Sequence, residues 1–287
     1  MRKLLVWAAL ALTLILDSPG RAATTILFVG NSFTYGELSE VKHYRPESVH
    51  DLNNEGIGGV PALFKQFSVQ SHLDYDVSLE TSPGKNFDFH VQQKSALLDR
   101  AWDHVLLQGY STLDQHNPGD PGVLIDYAGR LARLFQARNP RVDIRLVSTW
   151  SRADQTYLPT GHWHGRPIDA MAIDLRRGYD QAALGSPAIH AVIPVGQAWN
   201  RAIASHLAAA NPYEAMPKGQ IDLWATDHYH GSTYGYYLEA LVIFGNVTGR
   251  DPRSLGSQER AAAALGIEPS LAGKLQQVAA ETLAAEK

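Results

Sequence analysis

The chain has 287 residues, 45% of them hydrophobic and 19% charged, so it can bury a sizeable core and is too apolar for a disordered segment. Its formal net charge of -4 comes from 29 acidic and 25 basic residues with no long run of like charge, which speaks against a grip on nucleic acid or anionic lipid. It contains no cysteine, which removes disulfides, thiol nucleophiles, thiolate metal sites and a lipid-bearing cysteine, and leaves Ser, His, Asp, Glu, Lys and Tyr to carry any chemistry.

Residues 1–22 read as an export signal. Arg2 and Lys3 precede an apolar run over 4–16, and small residues lead to a cleavage position after Ala22. The run is shorter than the roughly 20 residues that span a bilayer. The expectation is therefore cleavage and release to the periplasm or the medium, without stable membrane insertion. Residues 23–287 are expected to form one domain that includes the C-terminal helices.

Short apolar runs at 25–29, 75–79, 104–107, 144–148 and 190–195 predict five strands, each followed by Gly, polar residues or Trp. Segments 61–70, 95–102, 123–138 and 167–184 have helical period; in 123–138 the apolar positions are Leu124, Tyr127, Leu131, Leu134 and Phe135. Strand–helix–strand alternation implies parallel pairing through right-handed crossovers and a sheet covered on both faces. The fold expected is a three-layer α/β/α, flavodoxin-like fold around a five-stranded parallel sheet. Segments 35–60 and 112–122 read as long loops. A helix over 234–244 follows, then an Ala-rich helical tail over 258–286, broken at Gly266 and Pro269.

In an open α/β sheet the binding crevice lies beyond the carboxyl ends of the strands, so the residues after each run are the informative ones. After the first stands Gly30-Asn31-Ser32-Phe33-Thr34, where a serine at a strand-to-helix turn can expose both its hydroxyl and its N–H. Taken alone, the same residues suit a turn or a helix cap. Near the other end, Asp227-His228-Tyr229-His230 sets a carboxylate three residues before a histidine. Such an Asp can hold the Nδ1 proton of His230 and leave Nε2 as a base for a serine hydroxyl; the plainer alternative is a capping Asp beside a surface His.

Residues 26–34 resemble the first block of the SGNH (GDSL-type) hydrolases, and 227–230 resemble their last, in the same order and on the same strand pattern. The resemblance implies a serine hydrolase with Ser32, His230 and Asp227 as its triad. It also implies oxyanion donors from the Ser32 N–H, a glycine after the second strand and a side-chain amide after the third. Gly84 fits the glycine, with Gly58 and Gly59 as competitors. The third block departs from the usual G-x-N-D: Gln108-Gly109-Tyr110 stands there, similar to the carbohydrate-esterase branch. Gln108 either supplies the amide donor or merely ties down the Tyr110 loop.

Tyr110, Trp150 and the Trp163 loop offer aromatic faces for a sugar ring, the alternative for Trp150 and Tyr110 being to cap the core. His162-Trp163-His164 lacks an adjacent carboxylate and reads as a contact patch, so no metal site and no other cofactor is expected. The resulting expectation is an exported esterase acting on a small-molecule or saccharide ester, in particular an O-acetyl group on a carbohydrate. A polysaccharide O-acetyltransferase, a non-catalytic carbohydrate-binding relative and a flavodoxin-like phosphate binder are the alternatives.

Overall fold

The structure, a computed structural model, describes residues 22–286. Apart from Ala22, the export segment expected at 1–22 lies outside the described residues. In chain order the first half holds β1 (Thr24–Gly30), α1 (Ser32–Tyr35), β2 (His50–Asp51), α2 (Gly59–Gln70), β3 (Tyr75–Thr81), α3 (Phe87–Gln93), α4 (Ser95–Leu98), β4 (His104–Leu107) and α5 (Gly122–Arg138). The second holds β5 (Asp143–Ser148), α6 (Ala153–Tyr157), α7 (Asp169–Leu184), β6 (Ile189–Pro194), α8 (Val195–Ala204), α9 (Thr233–Thr248), α10 (Arg260–Ala264) and α11 (Pro269–Ala285).

The strands form one parallel sheet in the order β2-β3-β1-β4-β5-β6. The five expected strands are present, and the expected number is corrected to six. The extra strand, β2, is a two-residue edge segment in which His50 and Asp51 pair with Ser78 and Leu79. It has no apolar pattern of its own, so its conformation is imposed by the neighbour. Of the helix expected over 95–102 only α4 (Ser95–Leu98) forms, and a helix that was not expected, α3, precedes it, started by the Asn86 side chain accepting from the Phe87 N–H.

Both faces of the sheet are covered, which is why its strands read as continuous apolar runs. On β1, Ile26 and Phe28 face a core shared with Phe64 of α2, Trp199 of α8, Leu241 of α9 and Leu275 of α11. Leu27 and Val29 face the opposite core, with Leu131 of α5 and Leu175 of α7. Helix α9 is apolar on nearly every side because it packs against α2, α8 and α11 at once. Ser232 caps its start, and Gly249, with φ 68°, ends it in the left-handed conformation. The tail breaks where expected, at Gly266 (φ 69°) and at Pro269 in the first turn of α11. Among the described residues no helix is long and apolar enough to cross a membrane.

From β1 the chain goes out to the edge strand β2, comes back in to β3 beside β1, then crosses to the other side of β1 as β4. The carboxyl ends of β3, β1 and β4 therefore border the crevice at which open α/β sheets bind ligands.

Candidate active site

The turn after β1 is tied down from three sides. Asn31 Oδ1 accepts the Phe33 N–H at 3.1 Å, and its Nδ2 donates to the Lys85 carbonyl (3.0 Å) and the Gly109 carbonyl (3.1 Å). One side chain thus joins the loops that follow β1, β3 and β4. Gly30 is obligatory, since a Cβ there would lie 2.1 Å from Thr34 Oγ1. Ser32 is buried, its carbonyl accepts the Tyr236 hydroxyl of α9 at 3.2 Å, and its own N–H bonds to no group among the described residues.

The Asp227–His230 segment folds around its own carboxylate. Asp227 Oδ1 accepts the backbone N–H of Tyr229 (3.1 Å) and of His230 (2.9 Å), while Oδ2 meets His230 Nδ1 at 2.6 Å. The three-residue spacing lets one oxygen shape the turn and the other orient the imidazole. Burial pushes the Asp227 carboxyl up, but the His230 side chain and these backbone donors outweigh it, leaving its pKa below the usual value. His230 is buried, and its Nε2 has no hydrogen-bond partner among the described residues. No hydrogen bond joins Nε2 to the Ser32 hydroxyl, although the ring of Phe33, the next residue, lies 5.6 Å from the His230 ring.

Two neighbours were not singled out by the sequence. Burial raises the pKa of the Tyr229 phenol, and a hydrogen bond with the Ser32 side chain opposes part of that rise. The Arg152 guanidinium lies 3.9 Å from the centre of the Tyr229 ring, donates to Ser111 Oγ at 3.1 Å and pairs with Asp154 at 2.6 Å. The available signals were position alone: Tyr229 adjoins His230, and Arg152 follows β5.

Gln108 is held from both ends of its amide group. Its Oε1 accepts the Asn31 N–H (3.1 Å) and the Thr34 hydroxyl (2.9 Å), and its Nε2 donates to the Gly109 carbonyl. Donors on one side and an acceptor on the other fix the orientation of the amide. Buried in this way, it braces the Ser32 turn.

The two tryptophans expected to offer a face to a sugar ring are core residues. Trp150 is fully buried, stacked between Phe33 (4.3 Å) and Trp199 (4.4 Å), with its indole N–H on the Tyr229 carbonyl at 3.2 Å. Trp163 is also buried and donates to Asp174 Oδ2 at 2.9 Å. Neither has a free face for a substrate. Tyr110 is half-buried and lines a cleft together with Gly84.

Gly84 is exposed with φ 66°, and a Cβ there would touch nothing within 4 Å, so conformation rather than crowding favours glycine. Gly58 serves packing, since a Cβ would fall 1.8 Å from the Tyr44 carbonyl oxygen; Gly59 combines both demands, with φ 66° and a Cβ position 2.9 Å from the Tyr35 Cα. His162 packs against Trp163 and His228 against Tyr213. Among the described residues no three His, Asp or Glu side chains gather as a set of metal ligands.

No family model matches the chain, and no curated protein matches it. Solved structures do. A DUF4886 family protein from Bacteroides uniformis is 18% identical, with a TM-score of 0.63 over 92% of this chain and 95% of that one. A protein from Parabacteroides merdae assigned as a GDSL-like lipase is 16% identical, with a TM-score of 0.51 over 79% and 96%. TesA is 14% identical, with a TM-score of 0.50 over 79% and 99%. The fold is that of the SGNH (GDSL-type) hydrolases, as the resemblance of the first and last blocks implies. At these identities the likeness speaks for the fold, and function has to be argued from the site.

Proposed function

We propose that the protein is an exported serine esterase of the SGNH type, acting on a small-molecule or saccharide ester, with O-acetyl carbohydrate as the substrate class. The observation that carries this reading is the Asp227–His230 pair, 2.6 Å apart, which leaves a buried, unbonded His230 Nε2 beside the Ser32 turn. Catalytic hydrogen bonds are often long or misaligned without substrate and tighten on binding. The missing Ser32–His230 bond is therefore compatible with the role.

In the proposed reaction Ser32 Oγ attacks the ester carbonyl carbon while His230 Nε2 takes the hydroxyl proton. The tetrahedral oxyanion is held by the N–H groups of Ser32 and Gly84. It collapses as His230 returns the proton to the leaving alcohol, giving an acyl-enzyme. Water, deprotonated by His230, then attacks the acyl carbon, and His230 returns that proton to Ser32 Oγ as the bond to the serine breaks and the acid leaves. Asp227 orients the ring and stabilises the imidazolium. With Gln108 engaged in bracing, the oxyanion hole rests on two backbone donors. Loss of one donor typically costs about 10²–10³ in turnover, so a modest kcat on simple esters is expected.

The test is covalent labelling by a fluorophosphonate alongside hydrolysis of a short-chain aryl acetate. Ser32→Ala is expected to abolish labelling and to lower turnover by about 10⁴ or more while the fold is retained. Undiminished activity in that variant refutes the mechanism. A wild-type protein that neither labels nor hydrolyses supports a non-catalytic relative.

A further inference from the structure

A cavity of about 950 Å³ lined by Thr25, Asp76 and Trp102 lies at the amino ends of the strands, on the far side from Ser32. A smaller cleft, about 370 Å³, adjoins the crevice itself. Gly84 and Tyr110 form part of its wall, and the Asn31–Lys85 hydrogen bond of 3.0 Å ties that wall to the serine turn. The volume falls at the low end of the range for small-ligand sites.

Its chemistry is unlike that of an acyl-chain tunnel. Val123 is the one aliphatic side chain in its lining, which otherwise holds the amides of Asn86, Gln92, Gln93 and Gln115 and the rings of Phe89 and Tyr110. Asn86 is used internally, accepting from Phe87 and Tyr110 and donating to the Leu113 carbonyl. Gln92 gives one N–H to the Tyr127 hydroxyl at 3.1 Å. Gln93 and Gln115 are exposed. Gln93 and Gln115 each present a donor and an acceptor side by side, the pattern that matches vicinal hydroxyls, and aromatic faces suit the C–H surface of a pyranose. The basic side chains are Lys85, 5.2 Å from the Phe89 ring centre, and His116; Asp88 and Asp114 share the lining, so the cleft carries no strong excess of either sign. A long acyl chain would leave these amides buried and unpaired, at a cost that a sugar avoids.

We propose that this cleft is the subsite for the alcohol half of the ester and that the alcohol is a neutral saccharide, with Gln93, Gln115 and Phe89 as its specificity-determining contacts. The proposal rests on the esterase reading and adds to it where the leaving group lies and what it is.

The experiment compares wild type with the double variant Gln93→Ala/Gln115→Ala, whose exposed positions put folding at little risk. The substrates are an O-acetylated neutral oligosaccharide, an O-acetylated oligouronate and 4-nitrophenyl acetate. The expected result is a fall of about tenfold in the ratio of kcat/KM for the neutral saccharide to that for the aryl ester, carried mainly by KM. Wild type is expected to prefer the neutral over the uronate ester. An unchanged ratio, or a preference for the uronate, overturns the proposal while leaving the esterase reading intact. If neither saccharide nor aryl ester shows Ser32-dependent turnover, the esterase reading fails. The cleft is then judged by calorimetric binding of the unacetylated oligosaccharide: binding lost in the double variant supports it, and binding kept in that variant or absent from wild type overturns it.

Discussion

Replacing Trp150 separates two roles open to a tryptophan at the end of β5, stacking on a sugar or joining the Ser32 and His230 turns from behind. Its ring is sandwiched by Phe33 at 4.3 Å and Trp199 at 4.4 Å, meets Tyr236 edge-on at 5.7 Å, and sends its N–H to the Tyr229 carbonyl. Trp150→Ala removes a large side chain from a site with no exposure, a change that costs about 3–5 kcal/mol. For a domain of this size that corresponds to a drop in Tm of roughly 10 °C. Trp150→Phe keeps a ring in the stack and deletes the bond to Tyr229, for about 1 kcal/mol. Scanning calorimetry reads the stability, and kcat/KM is measured on an acetylated saccharide and on an aryl acetate. Since Phe33 adjoins Ser32 and Tyr229 adjoins His230, loosening this joint should lower both rates in parallel, with their ratio constant to within about twofold. A selective loss of saccharide turnover by about tenfold in Trp150→Phe, at nearly unchanged Tm, would refute the placement of this ring behind the site.

Asp227→Asn is expected to lower turnover by about 10⁴, because the amide no longer fixes the imidazole tautomer. The folded-state pKa of Asp227 is depressed, so its contribution to stability is complete above the unfolded carboxylate value and is lost as pH falls through the folded value. The Asn variant should therefore melt below wild type at pH 7, the gap narrowing as pH falls below the ordinary carboxylate range; a gap independent of pH contradicts this. Glu239 has the opposite sign: it is buried on α9, Oε2 has no hydrogen-bond partner among the described residues, and burial raises its pKa well above the usual value. Its unfavourable contribution grows as pH rises from the unfolded toward the folded pKa, so Glu239→Gln should raise Tm at about pH 8 and have little effect near pH 4. A lower Tm at pH 8 would show that the carboxylate has a structural use. Because the proposed chemistry relies on a hydroxyl, an imidazole and backbone N–H groups, hydrolysis should survive thorough chelation; activity restored only by zinc would redirect attention to His162, His164 and His228.

The sequence was most legible where one force dominates. The strand at 25–29 is apolar at every core position because both of its faces are covered, and Asp227 and His230 stand three apart because one carboxylate serves both the turn and the ring. Other features depended on partners far along the chain. His50 and Asp51 become a strand only by pairing with β3. The position of Trp150 after β5 indicates the correct end of the sheet, but the direction of its side chain is set by Phe33 and Trp199. Gln108 carries the amide that a donor role requires, yet its orientation is dictated by Asn31 and Thr34, which need an acceptor. The cleft with Gln92, Gln93 and Gln115 was hidden because it combines α3 with a loop whose proximity no local pattern encodes.

The hydrogen bond from the Tyr236 hydroxyl to the Ser32 carbonyl joins residues 204 positions apart. Loop closure over such a distance comes late in folding, since its entropic cost must be met before the contact can reward it. A chain still being synthesised can therefore display the serine turn long before α9 and the Asp227–His230 loop exist to complete it. The proposed esterase activity would then report on closure of the whole chain and vanish together with global unfolding.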